Sequence, residues 1–358
     1  PTSSYRDGRF RKLQVKIPSR PELKIRTRSG YLSPDDKAVA KAAQAKAKAE
    51  EKPLPPEKAA KQAAEAHNKR MREAFSSLYP LRDIPTDMHL GFVVVPSDGT
   101  VAVVNTSINV ANLNFKQVKD RHYTKIEIAG LIFDEKGKNA GNFGEIAELN
   151  LRDSTLAQVQ QNGLSYRKTI PLKPGLYQVR MAIREEDSTN LGSAFGWVEV
   201  ADVSQKRLSL SSIFITSAEI DETQKEGQID QNQDSSKKLP PGFLSSLRFK
   251  PEDKFDFSVI AYNPQENDQA ATDVVIQTQI RAGNKVVMAT PLTKLQDANK
   301  QTLTASDNNG ASKTVKSVPY MARLALTNFK PGNYELRVVV VDRLANTHAT
   351  RNINFVID

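Results

Sequence analysis

Apolar and polar residues alternate one for one at several places along the chain, the period of a strand with one buried face. Leu13, Val15 and Ile17 alternate with Lys12, Gln14 and Lys16, and Leu23 and Ile25 alternate with Lys24 and Arg26. Pro18 and Pro21 part these two short strands, which need a sheet to join. Residues 35–52 are rich in Ala and Lys and favour a helix, but they offer no large apolar face. Pro53, Pro55 and Pro56 stop that helix. From 57 to 79 the period is helical, with Ala60, Ala63, Ala64, His67, Met71, Ala74, Phe75 and Leu78 on one stripe. The stripe thickens toward its C-terminal end, which is predicted to pack on the domain that follows.

Beyond Leu81 the pattern is that of strands, at 90–95, 101–110, 124–133, 145–151, 165–170, 176–184 and 193–200. A second series follows at 208–215, 255–262, 272–280, 285–290, 320–326, 333–342 and 351–357. Gly, Asn, Asp and Pro cluster between the strands, as in an antiparallel sandwich. Two polar stretches, 220–240 and 295–316, interrupt the second series and read as mobile loops. Lys173-Pro174-Gly175-Leu176-Tyr177-Gln178-Val179-Arg180 recurs as Lys330-Pro331-Gly332-Asn333-Tyr334-Glu335-Leu336-Arg337, an offset of 157. The terminal strands 196–200 and 354–358 align at an offset of 158. Pro174, Gly175, Tyr177 and Pro331, Gly332, Tyr334 are the structural turn residues of this motif. Pro fixes φ, Gly takes a positive φ, and the Tyr hydroxyl returns to loop backbone as in a tyrosine corner.

The expected fold class is therefore mostly β: two tandem Ig-like or fibronectin-like antiparallel β-sandwiches. A basic β arm (1–33) and an Ala/Lys-rich helical linker (34–80) precede sandwich 1 (81–203) and sandwich 2 (204–358). Charge sharpens this division. Of the 51 Lys and Arg and 41 Asp and Glu among 358 residues, 19 and 9 fall in residues 1–80, leaving 32 of each sign beyond. The whole excess of +10 sits in the arm and linker. With no cysteine, a disulfide scaffold, a thiolate metal site and a cysteine nucleophile are excluded. No apolar run has the length of a membrane-spanning helix, and 39% hydrophobic residues are enough to build cores. The chain opens on Pro1, not Met, which points to a removed upstream segment or to a piece of a longer chain.

Asp7-Gly8-Arg9-Phe10-Arg11-Lys12-Leu13-Gln14-Val15-Lys16, followed by Leu23-Lys24-Ile25-Arg26-Thr27-Arg28-Ser29-Gly30-Tyr31, resembles a known junction. It is similar to the end of the von Willebrand factor A (VWA)-like domain in VWFA-related proteins of the acidobacterial type. Pro174–Arg180, Leu191-Gly192-Ser193 and Val198-Glu199-Val200 followed by Asp202 resemble their strand-rich C-terminal region. The resemblance spans nearly the whole chain. It implies the last strands of an A-like domain, a linker and β-sandwiches, with a VWA-like domain among the partners. The family's metal-site string, Asp-x-Ser-x-Ser, is absent, and Asp202-Val203-Ser204-Gln205-Lys206 ends in Lys. None of the family's functional residues carries over.

Other chemistry is sparse. His67, His89, His122 and His348 are isolated, and no His-Glu-x-x-His, nucleophile elbow, Walker loop or Gly-x-Gly-x-x-Gly occurs. Glu185-Glu186-Asp187 reads as a solvated face, and Asp307-Asn308-Asn309-Gly310 lacks the ligand spacing of a calcium loop. No cofactor or metal site is expected. The residues that point to function are those of the arm: Arg9, Arg11, Leu13, Val15, Ile17, Lys24, Arg26 and Arg28. Their charge would set encounter and register with an acidic partner, and the strand could add to a partner's sheet. No aromatic stacking set accompanies them, which argues against nucleic acid. The expectation is a non-catalytic, extracytoplasmic interaction protein, a peripheral accessory subunit of a cell-envelope or membrane complex. The alternative is a carbohydrate-binding or polysaccharide-active sandwich, with Trp197 as the single large platform.

Overall fold

A computed structural model describes residues 10–12, 18, 30–32, 65, 68–96, 98–186, 188–217, 228–230, 243–306 and 311–358. Two short strands of the arm, β1 (Phe10–Lys12) and β2 (Gly30–Leu32), pair antiparallel. The rest of the predicted strand 10–17, and the 23–26 strand, lie outside the described residues. Residues 65 and 68–76 are helical and 68–76 form α1. Met71 and Ala74 pack on Ala182 and Leu191 of the first sandwich, as the thickening stripe predicts.

The first sandwich is built from β3 (Thr86–Val95), β4 (Gly99–Ile108), β5 (Lys116–Val118), β6 (Arg121–Asp134), β7 (Asn139–Arg152), β8 (Leu164–Pro171), β9 (Gly175–Glu185) and β10 (Leu191–Val200). One sheet runs β8-β4-β3 and the other β10-β9-β6, with β5 and β7 also on β6. Phe92, Val94, Ala102 and Val104 of the first sheet meet Ile126, Ile128, Val179, Met181 and Ile183 of the second. A helix that strand periodicity did not predict, α2 (Asp153–Asn162), links β7 to β8 and buries Thr155 and Val159.

The second sandwich repeats the plan with β11 (Ser209–Leu210), β12 (Phe214–Ser217), β14 (Arg248–Phe249), β15 (Lys254–Tyr262), β16 (Val274–Ala282), β17 (Lys285–Ala289), β18 (Thr293–Lys294), β19 (Gln301–Ser306), β20 (Ser312–Ala325), β21 (Gly332–Asp342) and β22 (Thr347–Ile357). Here β11 and β12 pair in succession along one edge of β15, whose other edge pairs β20 and through it β19, while the facing sheet runs β14-β22-β21-β16-β17 with β18 on β16. Strands β4, β6, β8, β9 and β10 thus correspond to β15, β16, β20, β21 and β22. The ladder also settles the repeat's register. Gly175 pairs Val200 and Gly332 pairs Ile357, so the terminal strands match at 157, not 158. Asp358 is a residue beyond the match. A β-bulge after Ile132 in β6 recurs after Ile280 in β16, and these two isoleucines face Val179 and Leu336, again 157 apart.

Both polar stretches contain structure that their composition hid. Within 220–240, Gln228–Asp230 forms β13, which pairs parallel to β8 of the first sandwich. Within 295–316, β19 and the start of β20 form a hairpin. It buries Leu303, Ala305 and Val315 in the first sandwich's core. These apolar residues are too widely spaced to mark strands, and they need only one buried side.

The sandwiches meet back to back. The outer face of β3 and β4, with Val93, Val95, Val101 and Val103, is covered by Phe214 and Phe243, stacked 4.4 Å apart. The amide of Val94 donates to the Tyr262 hydroxyl (2.9 Å), and Phe92 exchanges bonds with Ser212. A Cβ at Gly91 would sit 2.7 Å from the Phe214 ring, so this close approach requires glycine.

Candidate functional site

Of the arm residues, Arg11 is described; it lies half-buried in β1, opposite Tyr31. Arg9, Leu13, Val15, Ile17, Lys24, Arg26 and Arg28 lie outside the described residues, as do His67 and Asp307–Gly310. The turn motif does what its chemistry predicts at the tyrosines. Tyr177 donates its hydroxyl to the Lys173 carbonyl (3.0 Å) and Tyr334 to that of Lys330 (2.8 Å). Burial raises the Tyr177 pKa, with Asp134 and Glu135 adding to it. The glycines differ: Gly332 has φ 157°, but Gly175 is not among the positive-φ residues. A left-handed backbone is therefore not the shared requirement. Arg180 spends its guanidinium on the end of α1, donating to the carbonyls of Phe75 (2.6 Å) and Ser77 (2.9 Å).

Glu185 is not on a solvated face. It is 2% exposed and accepts bonds from the Asn114 backbone amide, Asn114 Nδ2 and Thr124 Oγ1. Its counterpart 157 residues on, Asp342, is fully buried and accepts from the amides of Gln265, Leu344 and Ala345. Glu185 thereby ties the loop after β4 to the end of β9, and Asp342 ties the loop after β15 to the end of β21. The near-miss string Asp202–Lys206 is likewise structural: Asp202 caps a single 3-10 turn through Ser204 and Gln205. His122 contacts Asp153 at 2.6 Å and meets Phe115 edge-on. Among the described residues, no group of three or more His, Cys, Asp or Glu is placed to hold a metal ion. No helix among them is long and apolar enough to cross a membrane.

An open cleft lies on the seam between the sandwiches. Its volume is about 710 Å³, and it is walled by Asp87, Met88 and His89 of β3 on one side. Asn354–Val356 of β22, Asn333–Glu335 of β21 and Ser245–Arg248 form the others. A smaller recess of about 140 Å³ shares His89 and continues along β22 past Arg351, Asn352 and Ile353 to Trp197 and Glu199. Odd-numbered positions of β3 face the second sandwich, which is why Asp87 and His89 share a side with Val93 and Val95. Burial lowers the His89 pKa against a bond to the Ile213 backbone, and its Nε2 is enclosed without a partner. Arg351 crosses the seam to Glu199 (3.3 Å), bonds the Leu210 carbonyl (3.2 Å) and lies over the Phe92 ring. Arg248 is paired with Asp358 and Glu335 with Arg281 and Arg337. The Asp87 carboxylate has no ion pair or hydrogen bond among the described residues, though its backbone lies in the β3–β4 ladder. The one hint of this cleft in the sequence is the pair of apolar runs, Phe92–Val95 and Val101–Val104, which mark strands buried on both faces.

No family model and no curated protein matches the chain. Among solved structures, a Bacteroides uniformis β-glucuronidase aligns with TM-score 0.23 and 8% identity, covering 72% of this chain and 26% of that one. A structure titled BspA_C_mut aligns with TM-score 0.20 and 7% identity over 78% of this chain and 99% of that one. The N-terminal domain of the Streptococcus gordonii adhesin Sgo0707 aligns with TM-score 0.18 and 11% identity, over 72% and 60%.

Proposed function

We propose that this chain is a non-catalytic, extracytoplasmic interaction protein, an accessory subunit held at the periphery of a cell-envelope or membrane complex by its basic arm. The observation that carries the reading is the contrast between the two ends of the molecule. All of the net charge of +10 belongs to residues 1–80, while the sandwiches are joined through buried apolar contacts. A charged leader on a stiff body suits docking, where charge steers encounter and shape holds register. The resemblance of residues 7–31 to the end of a VWA-like domain supports the same end as the point of attachment. To test this, a photo-crosslinker at Arg11 identifies the neighbour in intact cells, and the purified neighbour is titrated with the full chain and with a chain lacking residues 1–33. A loss of affinity of tenfold or more on deletion is the expected result. Unchanged affinity overturns the reading. The carbohydrate-binding alternative rests on Trp197, which is 39% exposed and lines the seam recess. Binding on a glycan array that Trp197→Ala abolishes would favour it.

A further inference from the structure

The seam cleft opens at a fork in the backbone. Strand β14 pairs parallel to β22 at Val356 and Ile357 only. Val356 donates its amide outward to the Leu247 carbonyl, and Asp358 donates to that of Phe249. Amide and carbonyl directions alternate along a strand, so Asn354 and Asn352 turn theirs to the same outer side as Val356. Among the described residues no backbone bond meets them there. Upstream of Leu247, Ser246 and Ser245 line the other side of the same cleft, and β3 closes it with Asp87, Met88 and His89. The fork therefore presents two outward positions of a sheet edge, Asn354 in the cleft beside the unspent Asp87 carboxylate and Asn352 in the adjoining recess, in line with an existing parallel pair.

We infer that this edge is a docking site for an extended peptide segment, which adds to β22 beside Asn352 and Asn354 and places a Lys or Arg against Asp87. The inference rests on the protein-interaction reading above and names a second contact, distinct from the arm. Main-chain bonds would supply the common part of the affinity and Asp87 the preference for a basic side chain. A peptide is favoured over a hydroxyl-rich sugar because the unmet groups are backbone groups at strand spacing. The other charged groups of the cleft, Arg248 and Glu335, are already paired.

The test is selection of random dodecapeptides displayed on phage against the immobilised full chain. Enriched sequences are synthesised and titrated by fluorescence polarisation. Each is also made with alternate backbone nitrogens methylated, which removes donors on one edge and keeps every side chain. Two variants are compared. Asn354→Pro deletes the outward amide and keeps the ladder to β21. Asp87→Lys reverses the charge at an exposed position. Expected are enriched peptides with a Lys or Arg, a loss of tenfold or more on methylation in one of the two registers, and a similar loss in both variants. Peptides indifferent to methylation and to both variants overturn the site and leave the protein-interaction reading standing. Failure to enrich any peptide, with oligosaccharides binding in the cleft and losing affinity in Asp87→Lys, overturns both.

Discussion

Buried acids and tyrosines show how a repeat of low identity keeps its chemistry. Tyr177, Val179, Met181, Ile183 and Glu185 point inward along β9, and Tyr334, Leu336, Val338, Val340 and Asp342 follow the same order along β21. The acids are buried and accept the loop amides that fix each strand end, so Glu185→Ala and Asp342→Ala should each cost about 2–3 kcal/mol, read by urea unfolding. Tyr177→Phe and Tyr334→Phe each remove a single bond, and a loss of about 1 kcal/mol is expected, smaller at the more exposed Tyr334. Equal and negligible effects would mean that the corner is dispensable. His89 gives the pH dependence. Its folded pKa lies below the ordinary 6.5 because burial disfavours the cation. The stability it contributes is thus fully present above pH 6.5 and falls as pH drops toward the folded value, since the unfolded chain takes up the proton first. Asp87, Arg248 and Glu335 in the cleft and Glu199 and Arg351 in the recess are the charged groups around it. His89→Gln should flatten the profile between pH 6.5 and 5, as followed by thermal unfolding.

The elements differ in how plainly the chain announces them. Strands with one wet face, such as β6 and β9, are legible because solvent writes a polar residue at every second position. The β19–β20 hairpin is not, since Leu303, Ala305 and Val315 stand among Thr, Gln, Ser and Lys. Their burial depends on a sandwich that precedes them by more than a hundred residues. Leu303→Ala should cost about 2–4 kcal/mol for this reason, a core value in a segment of loop-like composition. A cost under about 0.5 kcal/mol, as at ordinary surface sites, would show the hairpin to be detached. Strand β7 carries a different device. Among the described residues it pairs on one side only, with β6. Glu145 lies opposite Ile128 on the inward face, with both carboxylate oxygens enclosed next to Tyr166. A charge turned inward on a long edge strand opposes further pairing. That contrast leaves the short open edge of β22 as the better place for a strand to add.

For the molecule as a unit, the seam is a hydrophobic core. Phe214 and Phe243 are each 4% exposed, and Arg167 lies over the Phe243 ring. Both sandwiches should therefore unfold together. Fluorescence of Trp197, the single tryptophan and a residue of the first sandwich, should coincide with the calorimetric transition of the whole chain. Phe214→Ala should cost about 3–5 kcal/mol and split that transition in two. Coincident transitions in the variant would mean that the hairpin and Tyr262 hold the joint without the phenylalanines.

Periodicity, turns and the internal repeat establish the strands and their pairing into two like sandwiches, because which side of a strand a residue occupies is a local property with a period of two. The repeat even carries the register, once the ladder replaces the offset of 158 with 157. Which outer face is dry, which edge is open and which carboxylate is buried are decided by contacts such as Phe92 with Ser212 and Val94 with Tyr262, 120 and 168 residues apart. No local pattern encodes those distances, since the free energy of burying a second face exists only when the partner surface has already been built.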